Sequence, residues 1–114
     1  MGGKGVTAEV RDGVGIVRVL GELDLANVPV LHDACTAFDG MPVVVDLSGC
    51  DFIDSSGIAA LVQAWHDVDS RGGRRFALAS ATGQVKRVLK SAGFYGHVEV
   101  FRSVNTATVA LQPR

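Results

Sequence analysis

Residues 43–57 read Val-Val-Val-Asp-Leu-Ser-Gly-Cys-Asp-Phe-Ile-Asp-Ser-Ser-Gly, and this stretch decides the fold. Its three consecutive valines are a β-branched run typical of a strand that is buried on both faces. After Gly57, apolar residues recur at helical spacing, which predicts a helix from about residue 55 to residue 70. A strand at residues 43–47 is thus followed by a loop that delivers Ser55 and Ser56 to a helix N-terminus. In α/β sheets this edge is where ligands and partners commonly bind.

The remainder of the chain alternates between strand and helix patterns. Further strands are predicted at residues 6–10, 14–20, 75–80 and 97–101. Further helices are predicted after N-caps at Asn27, Thr82 and Ser103, ending near residues 40, 92 and 111. The order β-β-α-β-α-β-α-β-α predicts an α/β domain with a mixed sheet of about five strands and helices packed on it. We expect residues 1–114 to form one domain, with a core from about residue 6 to residue 111.

Two local features complete this prediction. Gly21-Glu22-Leu23-Asp24 is rich in acid and poor in helix formers, so it predicts a turn at the end of a strand. In the helix after Ser56, the apolar stripe predicts an inward face, and Ala60 and Ala64 are expected on the outward face beside Gln63. Small outward residues suit a contact surface, but ordinary helix propensity explains alanines equally well.

The composition excludes several classes of function. Eleven basic and twelve acidic residues give a formal net charge of −1, which argues against nucleic acid or an anionic membrane as the main partner. Apolar runs fall short of the ~20 residues of a membrane span, and the first residues lack the apolar core of a signal peptide. Cys35 and Cys50 have no metal-binding spacing, so both are expected to be reduced thiols. We therefore expect a cytoplasmic monomer that needs no disulfide, metal or cofactor.

Catalysis by the serine pair is not favoured either. A nucleophile elbow needs glycine two residues before the serine, but Ile53 precedes Ser55 there and Asp54 precedes Ser56. His66 is on the same helix as the serines, roughly 15 Å away by helical rise. His32 and His97 are expected to be solvated or satisfied elsewhere, and the chain has no phosphate-binding glycine motif. The protein is therefore not expected to be an enzyme.

The residues alone leave two interpretations of Ser55 and Ser56 open. One serine could be the helix N-cap, which is the ordinary role of serine at this position. Asp54 could fill that role by itself, and the two hydroxyls beside Gly57 would then form an uncluttered approach for another protein's active site. A phosphate placed there would lie near the positive end of the helix, where the fold should tolerate it.

Three motifs carry a resemblance to a known family. Asp54-Ser55-Ser56-Gly57-Ile58, after the valine-rich strand and Asp46-Leu47-Ser48, resembles the signature of bacterial anti-sigma factor antagonists, the stand-alone STAS domains. Gly21-Glu22-Leu23-Asp24 resembles that family's other short motif, and residues 85–94 are similar to its penultimate helix and the exit from it. Each motif is short, but the three occur in order and at suitable intervals over nearly the whole chain.

The resemblance implies a phosphorylation switch with Ser55, the serine directly after the aspartate, as its target. The unphosphorylated form would bind an anti-sigma factor that is also a serine kinase and so release the sigma factor, and phosphorylation would prevent this binding. A metal-dependent serine phosphatase would reset the switch, and the helices would lie chiefly on one face of the sheet. The implied partner surface comprises Glu22, Asp24, Asp54, Ser55, Ser56, Gly57 and Ile58.

Two points qualify the resemblance. Many members of the family have a glycine where this chain has Ala59, which bears on how the first helical turn fits a partner. STAS domains also serve as scaffolds or adaptors in larger signalling assemblies, and this is the alternative function. Gel filtration distinguishes the two functions, because a scaffold should elute as a large assembly.

Overall fold

The computed structural model describes residues 2–3, 5–38, 40–70 and 75–113, and within them a six-stranded mixed sheet. The first two strand pairings are antiparallel and the other three are parallel, which confirms the predicted mixed sheet. The strands follow one another in the sheet in sequence order, and the two-residue β1 is an addition to the five that were predicted. Their bounds are β1 Gly2–Gly3, β2 Val6–Arg11, β3 Val14–Leu23, β4 Val43–Ile53, β5 Phe76–Ala79 and β6 Glu99–Phe101.

In the described part of the chain, four α-helices and one short 3₁₀ helix pack on this sheet. The larger core lies between the sheet and α1, α2 and α3, whereas α4 covers a smaller cluster on the other face that includes Ile16, Val44 and Leu111. The expectation that the helices lie mainly on one face is thus confirmed. The bounds are α1 Val28–Thr36, α2 Ser55–Ser70, α3 Gly83–Ser91, the 3₁₀ helix Phe94–Gly96 and α4 Val104–Leu111. Among the described residues, none of these helices has the length and hydrophobicity needed to traverse a bilayer.

The helix caps follow the predictions only in part. Ser103 is an N-cap as expected, because its hydroxyl accepts a hydrogen bond from the backbone N–H of Thr106 at 3.1 Å. Asn27 and Thr82 occupy the N-cap positions of α1 and α3, but neither side chain makes a capping hydrogen bond. The side chain of Asn27 bonds backwards along the chain instead, so its role is to hold the segment before α1.

The predicted turn at residues 21–24 is wrong for its first three residues. They continue β3, which ends only at Leu23, and β4 likewise continues six residues beyond Leu47. The two extensions pair with each other in parallel, Leu23 opposite Ile53, with register shifts on the way. Cys50, which lies in the extension of β4, is therefore a buried strand residue. Both extensions contain polar side chains, so they do not form the apolar runs from which strands are predicted.

The assignment of Ala60 and Ala64 to the outward face of α2 is also wrong. Ala60 is 6% exposed and Ala64 is fully buried, and both belong to the main core. α2 packs against α1 as well as against the sheet, so more than one side of this helix is buried. Small side chains let two helices approach closely, which explains alanine here without a partner.

We predict that the fold does not depend on a disulfide. Cys35 and Cys50 are both free and buried, and burial raises the pKa of Cys35 to about 12. At pH 8 Cys35 is therefore an inert thiol, since the thiolate is the reactive form. Dithiothreitol should leave the melting temperature unchanged, and iodoacetamide at pH 8 should modify Cys35 only after denaturation. A melting temperature that falls by many degrees in reductant would contradict this.

Candidate functional site

Asp54 caps α2 by itself. Its carboxylate Oδ1 accepts a hydrogen bond from the backbone N–H of Gly57 at 3.0 Å, and its carbonyl oxygen accepts one from Ile58 N–H at 3.0 Å. Ser55 and Ser56 are consequently the first two residues of the helix and not its cap. Within the part of the chain that the structure describes, neither hydroxyl makes a hydrogen bond. Of the two interpretations left open by the sequence, the geometry thus favours two spare hydroxyls.

The two serines differ in exposure. Ser55 is exposed, Ser56 is half-buried, and Gly57 is buried beneath them. A Cβ atom on Gly57 would lie 2.5 Å from the carbonyl oxygen of Leu23 and 2.6 Å from Cγ1 of Ile53. Only glycine therefore lets the first turn of α2 rest directly against the ends of β3 and β4.

The pairing of β3 with β4 brings the two acidic motifs together. Because Leu23 lies opposite Ile53 on parallel strands, Asp24 and Asp54 begin neighbouring loops at the same edge of the sheet. Asp24 Oδ1 accepts a hydrogen bond from the backbone N–H of Ala26 at 3.0 Å, which shapes its own turn. Glu22 directly precedes Leu23 and lies opposite Phe52, and its side chain is exposed at the same edge of the sheet. The structure thus places the predicted site residues in one region.

Two further residues position the site and were not predicted to do so. Asn27 accepts a hydrogen bond from Asp24 N–H at 2.9 Å and donates one to the carbonyl of Glu22 at 2.6 Å. Gln84 of α3 donates to the carbonyl of Ile53 at 2.9 Å and accepts from its N–H at 3.0 Å. Since β5 pairs with β4 only as far as Asp46, Gln84 supplies the bonds that a neighbouring strand would otherwise make. A single glutamine in an amphipathic helix carries no sequence signal for this role.

The site is electronegative. Glu22 and Asp51 are exposed and Asp24 and Asp54 are half-buried, all on the ends or loops of β3 and β4. None of these four carboxylates forms an ion pair with any cation among the described residues. The N-terminus of α2 offsets part of this charge, because the helix dipole places partial positive charge there. A dianion added at Ser55 would thus meet attraction from the helix and repulsion from the carboxylates.

The histidines are engaged away from the serines. His32 Nε2 lies 2.7 Å from Asp67 Oδ2, so it is satisfied as expected. His66 and His97 both contact the ring of Trp65, at centroid distances of 5.1 Å and 6.4 Å. Within residues 5–38, 40–70 and 75–113, no group of three or more potential ligands is arranged to hold a metal ion. The arrangement offers an acidic surface with the exposed hydroxyl of Ser55 and the half-buried hydroxyl of Ser56.

Fold and site together define a small α/β domain that presents a serine at the start of a helix, beside an acidic strand end. The STAS domain family model matches residues 5–107, so the chain belongs to the STAS domain family. This match confirms the resemblance drawn from the three sequence motifs.

Solved structures place the chain among proteins of this fold. An anti-sigma factor antagonist from Mycobacterium paratuberculosis superposes with a TM-score of 0.82 at 26% identity, over 95% of this chain and 93% of that one. The Bacillus cell fate determinant SpoIIAA in its phosphorylated form gives 0.70 at 20% identity, over 92% and 97% of the two chains. A sulfate transporter family protein from Wolinella succinogenes gives 0.77 at 19% identity, over 90% and 88%. The similarities to SpoIIAA and to the Wolinella succinogenes protein show a shared fold and nothing more.

Proposed function

We propose that this protein is an anti-sigma factor antagonist that is switched by phosphorylation of Ser55. Its unphosphorylated form binds an anti-sigma factor serine kinase in the bacterial cytoplasm and thereby releases the sigma factor. Phosphorylation of Ser55 ends this binding, and a serine phosphatase restores it. The observation that carries the proposal is the exposed Ser55 hydroxyl, which the capping of α2 by Asp54 leaves unused.

The choice of Ser55 over Ser56 rests on access. A kinase must bring the γ-phosphate of its nucleotide in line with the attacking hydroxyl, so the acceptor has to enter a foreign active site. Ser55 is exposed at the first helical position, whereas Ser56 is half-buried. The domain acts by exchange of partners and not by catalysis.

The experiment that tests this function begins with capture of the partner. Unphosphorylated tagged protein is used to isolate binding proteins from native cell extract, and mass spectrometry identifies them. The captured kinase is then purified and incubated with the domain and Mg²⁺-ATP, and the product is mapped by phosphopeptide analysis. We expect phosphate on Ser55 in the wild type and in Ser56→Ala, and none in Ser55→Ala. Phosphate on Ser56, or capture of a large assembly without kinase activity, would overturn the proposal, and the second outcome would favour a scaffold.

We predict that Asp24 contributes its charge to this interaction. Asp24→Ala should weaken kinase binding or slow phosphorylation while leaving the far-ultraviolet circular dichroism spectrum unchanged. Since Asp24 Oδ1 also accepts the bond from Ala26 N–H, Asp24→Asn is the matched control that keeps an acceptor and removes the charge. If both variants bind more weakly, the carboxylate meets a cation of the kinase. If Asp24→Asn binds like the wild type, Asp24 only shapes the loop, and wild-type behaviour of both variants removes it from the site.

A further inference from the structure

The side chain of Gln84 holds the backbone from which the Ser55 loop starts. Its amide nitrogen donates a hydrogen bond to the carbonyl oxygen of Ile53 at 2.9 Å, and its amide oxygen accepts one from the Ile53 N–H at 3.0 Å. Ile53 is 1% exposed, so water is poorly placed to replace either bond. Both backbone polar groups of the residue two positions before Ser55 are thus engaged by one side chain.

Gln84 takes the place of a strand on this side of β4. β5 pairs with β4 only from Val43 to Asp46, which is seven positions before Ile53. On the opposite side, the parallel pairing with β3 continues to the end of both strands, where Leu23 lies opposite Ile53. The end of β4 is therefore held by a strand on one side and by a single amide on the other. Loss of that amide should let the end of β4 move while the rest of the sheet stays paired.

The turn before α3 brings Gln84 to this position. Gly83 has a φ of 56° and Ser80 has a φ of 64°, a left-handed conformation that few residues other than glycine adopt. The N–H of Ser80 donates a hydrogen bond to the carbonyl oxygen of Phe101 at 3.0 Å, which ties the turn to β6. A residue such as Ser80 keeps this conformation only where the surrounding structure holds it. The turn that presents Gln84 is therefore itself held in place.

The Ser55 hydroxyl takes its position from the backbone. It makes no hydrogen bond within the part of the chain that the structure describes, so no polar contact orients it there. On the helix side, Asp54 fixes the first turn of α2 through its bond to the N–H of Gly57 at 3.0 Å. On the strand side, Ile53 fixes the start of the loop, and Gln84 holds Ile53. A shift of Ile53 reaches Ser55 through one intervening residue.

We infer that Gln84 is a positioning residue for phosphoryl transfer to Ser55. The inference rests on the proposed function and adds to it the side chain that sets the geometry of the acceptor. In the transfer, the Ser55 oxygen bonds to the γ-phosphorus of ATP as the bond to the β-phosphate oxygen breaks; ADP leaves, and the hydroxyl proton passes to a base of the kinase.

This reaction is sensitive to small displacements of the acceptor. The attacking and leaving oxygens must lie roughly in line, and a misplacement of about 1 Å can slow a reaction by about a hundredfold. Because the Gln84 amide is already bonded to Ile53, it acts on Ser55 through the backbone. Its loss should therefore lower the rate of phosphoryl transfer more than the affinity for the kinase.

Gln84→Met tests the inference by kinetics. Methionine has nearly the length of glutamine but carries no N–H donor and only a weak acceptor. Single-turnover phosphorylation, with the captured kinase in excess and saturating Mg²⁺-ATP, gives the transfer rate and, from its dependence on kinase concentration, the apparent Kd. We expect the transfer rate to fall at least about fivefold, with the Kd within about threefold of the wild-type value. Gln112→Met is the matched control and should match the wild type in both, because Gln112 is exposed directly after α4, which packs on the other face of the sheet.

Amide hydrogen exchange reports on the two bonds without the kinase. The N–H of Ile53 should exchange at least about tenfold faster in Gln84→Met, because it has lost its acceptor. Val45 lies in the middle of the same strand, between β3 and β5, and is the internal reference. A general loss of stability would speed exchange at both residues, whereas loss of the Gln84 bonds should speed it at Ile53 alone. Equal changes at both residues would contradict the inference.

The outcomes separate the role of Gln84 from the proposed function. If the kinase phosphorylates Ser55 in the wild type but the transfer rate of Gln84→Met falls by less than about fivefold, the inference fails and the function stands. A loss confined to affinity also overturns it, since Gln84 would then contact the kinase. If no captured kinase phosphorylates Ser55, both fail together. If melting curves show that Gln84→Met is unfolded in the assay, Gln84→Glu is judged by the same limits, because it keeps an acceptor for the Ile53 N–H and lacks the donor for the carbonyl.

Discussion

Ser55→Asp is expected to lower the affinity for the anti-sigma factor kinase by about a hundredfold, while Ser55→Ala keeps the affinity of the unmodified protein. A hundredfold corresponds to about 2.8 kcal/mol, at roughly 1.4 kcal/mol for each factor of ten. Burying an unpaired carboxylate at a protein interface costs several kcal/mol, which covers this amount. The phosphoserine should bind more weakly still, because it carries about −1.5 to −2 charges and more strongly hydrated oxygens.

The same charge should have little effect on the fold itself. The N-terminus of α2 stabilises a negative group at an exposed site by about 0.3–1 kcal/mol. Asp54 is the adjacent residue and Asp24 begins the neighbouring loop, so like-charge repulsion opposes that gain. The two contributions are opposite in sign, so we expect a small net effect on the free energy of unfolding. The melting temperature of Ser55→Asp should therefore match that of the wild type. With stability unchanged, a loss of binding in this variant arises at the interface.

Calorimetric titration of the kinase without nucleotide measures the effect of Ser55→Asp on binding. Ser55→Asn is the matched control for Ser55→Asp, since asparagine has nearly the same size and shape as aspartate but carries no charge. We expect Ser55→Asn to bind within a few-fold of the wild type. Equal affinity of Ser55→Asp and the wild type would mean that charge at this position does not control binding, and the domain would then be a passive adaptor.

The β4–α2 segment was predictable because its signals are local. Three valines identify the strand, and Asp54 identifies the start of the helix, because its carboxylate accepts a hydrogen bond from the backbone N–H only three positions further on. The stretch that decides the fold therefore also contains the candidate acceptor serine. The predicted order of elements was correct for the same reason, since each helix and strand has its own periodicity.

The remainder of the site depends on contacts between distant segments. Leu23 and Ile53 are thirty residues apart, and only their pairing places Asp24 and Asp54 in neighbouring loops at one edge of the sheet. The hydrogen bonding of the Gln84 side chain to the backbone of Ile53 joins residues thirty-one positions apart. The hydrophobic periodicity of the sequence does not encode such pairs, because the same residue type can occur in the sequence with or without a distant partner. Ala60 was misplaced for a related reason, since alanine does not show which side of a helix is buried.

Gly57→Ala is expected to destabilise the domain by about 1–3 kcal/mol, the usual range for atoms forced into a packed interior. The added Cβ would lie 2.5 Å from the carbonyl oxygen of Leu23, which is backbone and cannot rotate away. Because alanine favours a helix over glycine by up to ~1 kcal/mol, propensity alone would predict a gain. The steric overlap should exceed that gain, and the melting temperature should fall by roughly 4 °C for each kcal/mol lost.

Gly96→Ala is the matched control for Gly57→Ala. Gly96 is exposed in the short 3₁₀ helix, and a Cβ atom there would have no neighbour within 4 Å. Its melting temperature should remain close to that of the wild type. In Gly57→Ala the first turn of α2 must move away from β3, so Ser55 should also be phosphorylated more slowly at temperatures where the variant is folded. If Gly57→Ala instead melts at or above the wild-type temperature, α2 does not rest on the end of β3, and Ser55 and Asp24 do not share one surface.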